Sequence, residues 1–188
     1  MPRLIETIIL AVVQGLTEFL PISSSGHLAL CSKLLKIENI FGLAVYMHFG
    51  TLLSILFVFH RRVWLILRSI FKGRIIIYKR FKITDKNLKL FFLIIIGSLP
   101  AGLLGLLLKK EVEVSFGSIA IVSIFLILTG IILFITKFSK NDKNDVNWWR
   151  ALVIGIFQSA AIFPGLSRSG LTISGGLFLG LDPADAFE

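Results

Sequence analysis

Long apolar runs alternate along this chain with short polar segments rich in Gly, Ser and Pro. Three of the runs are continuous, and Lys89 is the one charged residue that they contain: Phe41–Phe59, Leu88–Leu108 and Phe116–Phe134. About 20 apolar residues are needed to cross a bilayer as a helix. Each run therefore predicts a transmembrane helix.

Two other apolar segments are each broken by a polar loop, and the two loops are similar in sequence. Gln14–Gly26 reads QGLTEFLPISSSG and Gln158–Gly170 reads QSAAIFPGLSRSG, at an offset of 144 residues (158 − 14). Polar loops are tolerated at membrane depth where protein buries them or where they line a cavity. A duplicated pair predicts a binding site between two structural repeats. The identical positions are Gln14/Gln158, Phe19/Phe163, Ser23/Ser167, Ser25/Ser169 and Gly26/Gly170.

The broken segments are too short to cross a membrane as single helices. Ala151–Phe163 would extend for about 20 Å as a helix, against about 30 Å of hydrocarbon, before Pro164 and Gly165 interrupt it. We therefore predict a re-entrant helix hairpin here. The same pattern in residues 4–30, with Pro21 as the helix breaker, predicts a second one.

Composition and charge support a membrane protein. The chain is 55% hydrophobic, with a mean hydropathy of +0.88. Its net charge of +9 arises largely between Arg61 and Lys89, which hold ten of the twenty Lys and Arg residues. Such a cluster beside a span marks a cytoplasmic loop. The charge therefore indicates topology in a lipid bilayer, and we expect no nucleic acid as a partner.

These elements predict an all-α, polytopic membrane protein that forms one domain over residues 1–188. The first repeat covers about residues 1–140 and contains three crossings, with Lys109–Ser115 as a short external turn. An odd number of crossings inverts the second repeat, which begins at about residue 145. Its own three crossings would lie beyond Glu188, so we expect the chain to be a fragment of a longer protein.

Candidate chemistry is concentrated in the two loops. Glu18 is a carboxylate at membrane depth, where an ionisable group indicates function, and Gln14 lies one helical turn before it. His27 follows the serine run of residues 23–25. In the other loop, Arg168 is flanked by Ser167 and Ser169. Because arginine matches phosphate geometry and Gly-rich turns expose backbone N–H groups, the two loops predict an anion site.

Structural interpretations of the same residues stay open. Glu18 and Arg168 could form an ion pair that only holds the repeats together, and the serines could only cap broken helices. For His48, within a predicted span, we expect a packing contact between helices. Trp148 and Trp149 suit an interfacial belt.

The two loops resemble the signature motifs of the bacterial undecaprenyl-diphosphate phosphatase family, the bacitracin-resistance phosphatases. The stretches are QGLTEFLPISSSGHL (14–28) and FPGLSRSGLTISGGLFLGL (163–181), and the similarity extends over the whole chain. The family is longer, with further C-terminal helices. Its motif positions fall here on Gln14, Glu18, Pro164, Gly165, Ser167, Arg168, Ser169 and Thr172.

The resemblance implies that an isoprenoid diphosphate is hydrolysed to the monophosphate and phosphate, which recycles the lipid carrier of cell-wall precursors in the bacterial inner membrane. It implies that Arg168 clamps the diphosphate and that Ser24 or His27 is the nucleophile, with His27 as base if Ser24 attacks. Glu18 would orient His27 or, with Gln14, hold a divalent cation (Mg²⁺ or Ca²⁺); no organic cofactor is expected. Substrate-binding groups are expected at Gln14, Ser23, Ser25, Gly165, Ser167, Ser169 and Thr172.

Three alternatives to a phosphatase are compatible with the sequence. Inverted repeats around a midplane anion site also describe transporters of anions or lipid phosphates. An intramembrane serine protease is suggested by serines near His27, although Gly-x-Ser is a weak pattern. A membrane scaffold would leave the charges at membrane depth unexplained. A homodimer is left open as a partner.

Overall fold

The computed structural model of the chain describes residues 4–37, 40–72, 75–78, 80–83, 85–140, 142 and 145–187. Ten helices and two short strands occur in these ranges. In chain order they are α1 (Leu4–Thr17), α2 (Ser24–Leu34), α3 (Ile40–Val58), α4 (His60–Lys72), β1 (Ile75–Tyr78), β2 (Arg80–Ile83), α5 (Lys86–Leu107), α6 (Lys109–Gly117), α7 (Ile119–Thr136), α8 (Trp148–Ala160), α9 (Arg168–Phe178) and α10 (Pro183–Phe187).

Helices α3, α5 and α7 are long and apolar enough to cross a membrane, which confirms the three predicted spans. Most of their apolar side chains face outward; Phe57 and Leu106, for example, are more than four-fifths exposed. An apolar surface of this kind suits lipid rather than water. The chain is therefore an integral membrane protein with a helical membrane domain.

Two connections differ from the sequence prediction. The segment Lys109–Ser115, predicted as a turn, lies in helix α6, and Ser118 then caps α7 by accepting a hydrogen bond from the N–H of Ile121 at 3.5 Å. Between α4 and α5, β1 and β2 pair as an antiparallel ribbon with Ile75 opposite Ile83. The ribbon lies in the basic loop between two spans, so the membrane part stays helical.

The structure confirms that the two similar segments are broken helices. α1 ends at Thr17 and α2 begins at Ser24, while α8 ends at Ala160 and α9 begins at Arg168. α1 and α8 contain 14 and 13 residues, or about 20 Å of helix each. Each pair forms a helix–break–helix hairpin; their opposite orientation in the membrane stays a prediction.

Glycines allow the two breaks to meet beside α7. A β-carbon on Gly26 would lie 2.9 Å from the α-carbon of Gly165 and 2.9 Å from Cδ2 of Leu126. A similar contact joins α5 to α8, where a β-carbon on Gly155 would lie 2.9 Å from the α-carbon of Gly97. Such backbone proximity is typical of membrane helices that pack through small residues.

Candidate active site

The two breaks repeat one local structure. Oγ of Ser23 accepts a hydrogen bond from the N–H of Gly26 at 3.2 Å, and Oγ of Ser167 accepts one from Gly170 at 3.1 Å. In each copy the hydroxyl of the serine two positions later lies within 3.3 Å of the capping hydroxyl. Each serine is thus an N-cap. Both serines also line a cavity, so a serine here can cap a helix and still belong to the site.

The copies differ in backbone conformation at the cap. Ser23 has a φ of 67° and lies in the left-handed region, whereas Ser167 has a φ of −81°. The left-handed conformation is costly for serine, about 1–3 kcal/mol. His27 stabilises it, because its backbone N–H and its Nδ1–H both donate to the carbonyl of Ser23, at 3.2 and 2.8 Å.

Hydrogen bonds also connect one break to the other. Oγ of Ser23 donates to the carbonyl of Leu166 at 3.4 Å, and Oγ of Ser169 donates to the carbonyl of Leu20 at 3.5 Å. Residues more than 140 positions apart in sequence therefore form one continuous polar surface.

This surface forms one wall of a cavity of about 750 Å³. A second, mainly apolar part of the wall comes from α3, through Phe41, Val45, Phe49, Leu52 and Ile55. Eight of the predicted site residues line the cavity: Glu18, Ser23, Ser24, Ser25, Ser167, Arg168, Ser169 and Thr172. The sequence prediction that both loops contribute to one site is thus consistent with the geometry.

Glu18 is held in place by its neighbours. Its Oε2 accepts a hydrogen bond from Nε2 of Gln14 at 2.8 Å and a short one from Oγ of Ser24. Gln14 is 1% exposed, and its Oε1 is buried without a partner among the described residues. Gln14 therefore orients Glu18, and Glu18 in turn contacts the hydroxyl of Ser24.

His48 is a site residue that the sequence prediction did not include. Its Nε2 lies 3.6 Å from Oε2 of Glu18, and its Nδ1–H donates to the carbonyl of Ala44 at 2.7 Å. The interpretation as a packing contact is therefore incomplete, because the ring faces a carboxylate on the cavity wall. The signal in the sequence was an ionisable residue within a span.

His27 lies elsewhere. It is not among the residues that line the cavity, and its Nδ1 is used by the carbonyl of Ser23. The predicted pairs of Glu18 with His27 and of Ser24 with His27 are not found; Glu18 contacts Ser24 and His48 instead. His27 therefore stabilises the backbone at Ser23 and does not face the cavity.

Arg168 is the first residue of α9, and its side chain is available to a ligand. It is exposed to the cavity and makes no ion pair or side-chain hydrogen bond within the described ranges. The alternative of a Glu18–Arg168 ion pair is not observed, since the basic group within 4 Å of Glu18 is His48.

Thr129 of α7 holds the loop in front of Arg168. Its Oγ1 donates to the carbonyl of Gly165 at 2.9 Å and accepts from the N–H of Ser167 at 3.1 Å. Thr129 is 3% exposed. Gly165 itself, with a φ of 101°, forms the turn rather than the cavity wall.

Two other polar side chains complete the wall. The hydroxyl of Thr172 lies 3.0 Å from the carbonyl of Arg168 and 3.1 Å from that of Ser169, so it is at present used within α9. Gln158, the counterpart of Gln14, also lines the cavity. The duplicated motif contains this position, although the predicted site residues do not include it.

The donors for a divalent cation are few. The described residues contain no group of three His, Cys, Asp or Glu side chains that could hold a metal ion. Among the residues that the structure describes, Glu18 is the one carboxylate that lines the cavity. This donor set does not suit Ca²⁺, which takes six to eight oxygen ligands, but it fits Mg²⁺, which keeps waters and binds through one carboxylate and substrate phosphates.

Comparison with known proteins gives one family and many relatives. The family model described as bacitracin resistance protein BacA matches residues 7–188. A protein named undecaprenyl-diphosphatase from Alkaliphilus metalliredigens is 39% identical over 184 residues, which cover 94% of this chain and 67% of the relative. Proteins with the same name from Korarchaeum cryptofilum and Thermosipho africanus are each 40% identical over 183 residues, which cover 97% and 96% of this chain and 70% of each relative.

Proposed function

The chain belongs to the bacitracin resistance protein BacA family, and we propose that it is a membrane phosphatase that hydrolyses undecaprenyl diphosphate to undecaprenyl phosphate and inorganic phosphate. The observation that carries the proposal is the position of Glu18, Ser24 and Arg168 on the walls of one cavity. These side chains supply a base, a nucleophile and an anion clamp. A transporter needs no such combination.

The cavity suits both parts of this substrate. The diphosphate has hydroxyl donors and the Arg168 guanidinium on one wall, and arginine binds phosphate through two parallel hydrogen bonds. The prenyl chain would pack against the α3 part of the cavity wall, where apolar side chains recur at helical spacing from Phe41 to Ile55. This wall belongs to a helix that is long enough to cross the membrane, so the prenyl chain of the substrate can stay in lipid.

Ser24 attacks the terminal phosphorus in the mechanism we propose. Its proton passes to Oε2 of Glu18, with which the hydroxyl already forms a hydrogen bond. The bond between Oγ and phosphorus forms, and the bond from phosphorus to the bridging oxygen breaks. Undecaprenyl phosphate leaves, and a phosphoserine remains for water to hydrolyse.

Charge on the transferred group is stabilised from several directions. Arg168 is the cation on the cavity wall, and electrostatic stabilisation is the main catalytic need in phosphoryl transfer. Helices α2 and α9 both begin at the cavity, and helix N-termini favour anions. Ser23, Ser25, Ser167 and Ser169 add hydroxyls, and Thr172 adds one if its bond within α9 opens.

Further parts of the proposal rest on the family. Mg²⁺ would be held by Glu18, waters and the diphosphate; when bound, it would neutralise phosphate charge. Gln14, predicted as a second ligand, is buried outside the cavity and would instead orient the Glu18 carboxylate. We place the protein in the bacterial inner membrane, where recycling of the lipid carrier supports cell-wall synthesis and bacitracin resistance. The homodimer stays a prediction.

Release of inorganic phosphate tests the function. The detergent-solubilised protein should release phosphate from undecaprenyl diphosphate, which no transporter would do. Arg168→Lys keeps the charge but loses the bidentate geometry, and we expect a rate at least about a hundredfold lower. Lys110→Arg, a conservative exchange at an exposed position of α6, is the control. A wild-type protein that binds the substrate but releases no phosphate would refute the proposal.

A further inference from the structure

In all three histidines of the chain, Nδ1 lies beside a backbone carbonyl oxygen. Nδ1 of His27, His48 and His60 lies 2.7–2.8 Å from a backbone carbonyl three or four residues earlier. Because a carbonyl oxygen can only accept, Nδ1 carries the hydrogen in each of them. In the neutral ring, Nε2 then presents a lone pair and can accept a proton.

Nε2 of His48 is directed into the active site. Its Nε2 lies 3.6 Å from Oε2 of Glu18, to which Ser24 is also hydrogen-bonded. For a water oxygen about 2.8 Å from both atoms, the angle Nε2–O–Oε2 at the water would be about 80°. A water at this position would donate one hydrogen to Nε2.

The proton balance of the reaction requires a second acceptor. In the first step Glu18 takes the proton of Ser24, and the departing lipid phosphate is a stable oxyanion that does not need it. Glu18 must later return this proton to Oγ. In the described part of the chain, the ionisable side chains that line the cavity are Glu18, His48 and Arg168, and arginine stays protonated. His48 is therefore the group left to accept a proton from water.

We propose that His48 is the general base of the second step, the hydrolysis of the phosphoserine at Ser24, a role that rests on the proposed function. Water attacks phosphorus and gives a proton to Nε2 of His48. The bond between phosphorus and Oγ breaks, and Glu18 returns its proton to Oγ. The His48 proton then leaves with the phosphate or to water, so that one water is consumed in each turnover.

The test separates the two steps. Purified protein is mixed with undecaprenyl diphosphate labelled in its terminal phosphate, quenched in acid and assayed for released phosphate and for phosphoserine at Ser24. We expect His48→Gln to form the phosphoserine at the wild-type rate and to accumulate it, while steady phosphate release falls about a hundredfold. His60→Gln, at a histidine with the same Nδ1 contact but outside the cavity, should match the wild type.

Two results would overturn the role of His48. One is phosphate release by His48→Gln at the wild-type rate. The other is loss of phosphate release without phosphoserine in both His48→Gln and His48→Ala, since a base of the second step leaves the first intact. Added imidazole should restore phosphate release to His48→Ala. If the wild type itself released no phosphate, the proposed function would fail instead.

Discussion

The hydroxyl of Ser24 donates a hydrogen bond to Oε2 of Glu18, across the break between α1 and α2. The two residues are six positions apart (24 − 18). Glu18 directly follows the end of α1 at Thr17, and the chain between Glu18 and Ser24 includes the left-handed cap at Ser23. The strained backbone therefore brings the hydroxyl to the carboxylate. Strain of this kind is often found where geometry is needed for function.

Replacement of the base tests this contact. Glu18→Gln keeps the size of the side chain and removes its ability to take a proton, so we expect kcat to fall by about 10²–10⁴ with a smaller change in KM. Glu113→Gln changes an exposed carboxylate on α6 and should leave both constants unchanged. A Glu18→Gln protein with the kcat of the wild type would exclude Glu18 as base.

Loss of the Thr129 hydroxyl should affect the Arg168 loop specifically. Thr129→Val leaves the carbonyl of Gly165 and the N–H of Ser167 buried without partners, which costs about 1–3 kcal/mol for each group. We expect a lower unfolding temperature and a raised KM, because the anion clamp is displaced. Thr129→Ser should restore both quantities.

The matched control for Thr129 is on the same helix. The hydroxyl of Thr136 donates to the carbonyl of Leu133 within α7, at 2.6 Å. Thr136→Val removes a hydroxyl of the same type without disturbing the loop. Equal changes of KM in the two valine variants would contradict the proposed role of Thr129.

Gly165 should tolerate no side chain. A β-carbon there would lie 2.5 Å from the carbonyl oxygen of Val122 and 2.8 Å from Cβ of Phe125, and the φ of 101° is unfavourable for alanine. We expect Gly165→Ala to lower the thermal unfolding temperature and to abolish phosphate release. Gly130→Ala, in open space on α7, should be stable and active; similar behaviour of the two variants would refute the packing described for the break.

A variant of His27 distinguishes a structural role of this residue from a catalytic one. Its ring bonds the carbonyl of Ser23 and does not line the cavity. His27→Asn keeps a short side-chain donor, so we expect reduced stability with phosphoserine formation retained. An unchanged unfolding temperature together with complete loss of phosphoserine would instead indicate that His27 takes part in the chemistry.

The sequence was sufficient to predict the three spans, because length and hydrophobicity alone decide whether a helix can cross a membrane. It also predicted the two broken segments, since Pro164, Gly165 and the repeated Ser-x-Ser-Gly pattern are local signals. The meeting of the two breaks followed from the repeat. These features depend on composition or on neighbours in sequence.

The choice between histidines could not be made in this way. His27 is near the serine run in sequence, but the turn of α2 directs its ring back to Ser23. His48 is 30 residues from Glu18 (48 − 18) and reaches it through the packing of α3 against the first hairpin. Thr129 was missed for the same reason, because its two partners belong to another part of the chain.

The most direct test of the account is phosphate release from undecaprenyl diphosphate by Ser24→Ala, compared with Ser54→Ala. Ser54 is exposed on α3, and its hydroxyl donates to the carbonyl of Gly50 in its own helix. We predict that Ser24→Ala loses at least about a thousandfold in rate, while Ser54→Ala matches the wild type. Phosphate release by Ser24→Ala at the wild-type rate would contradict the account.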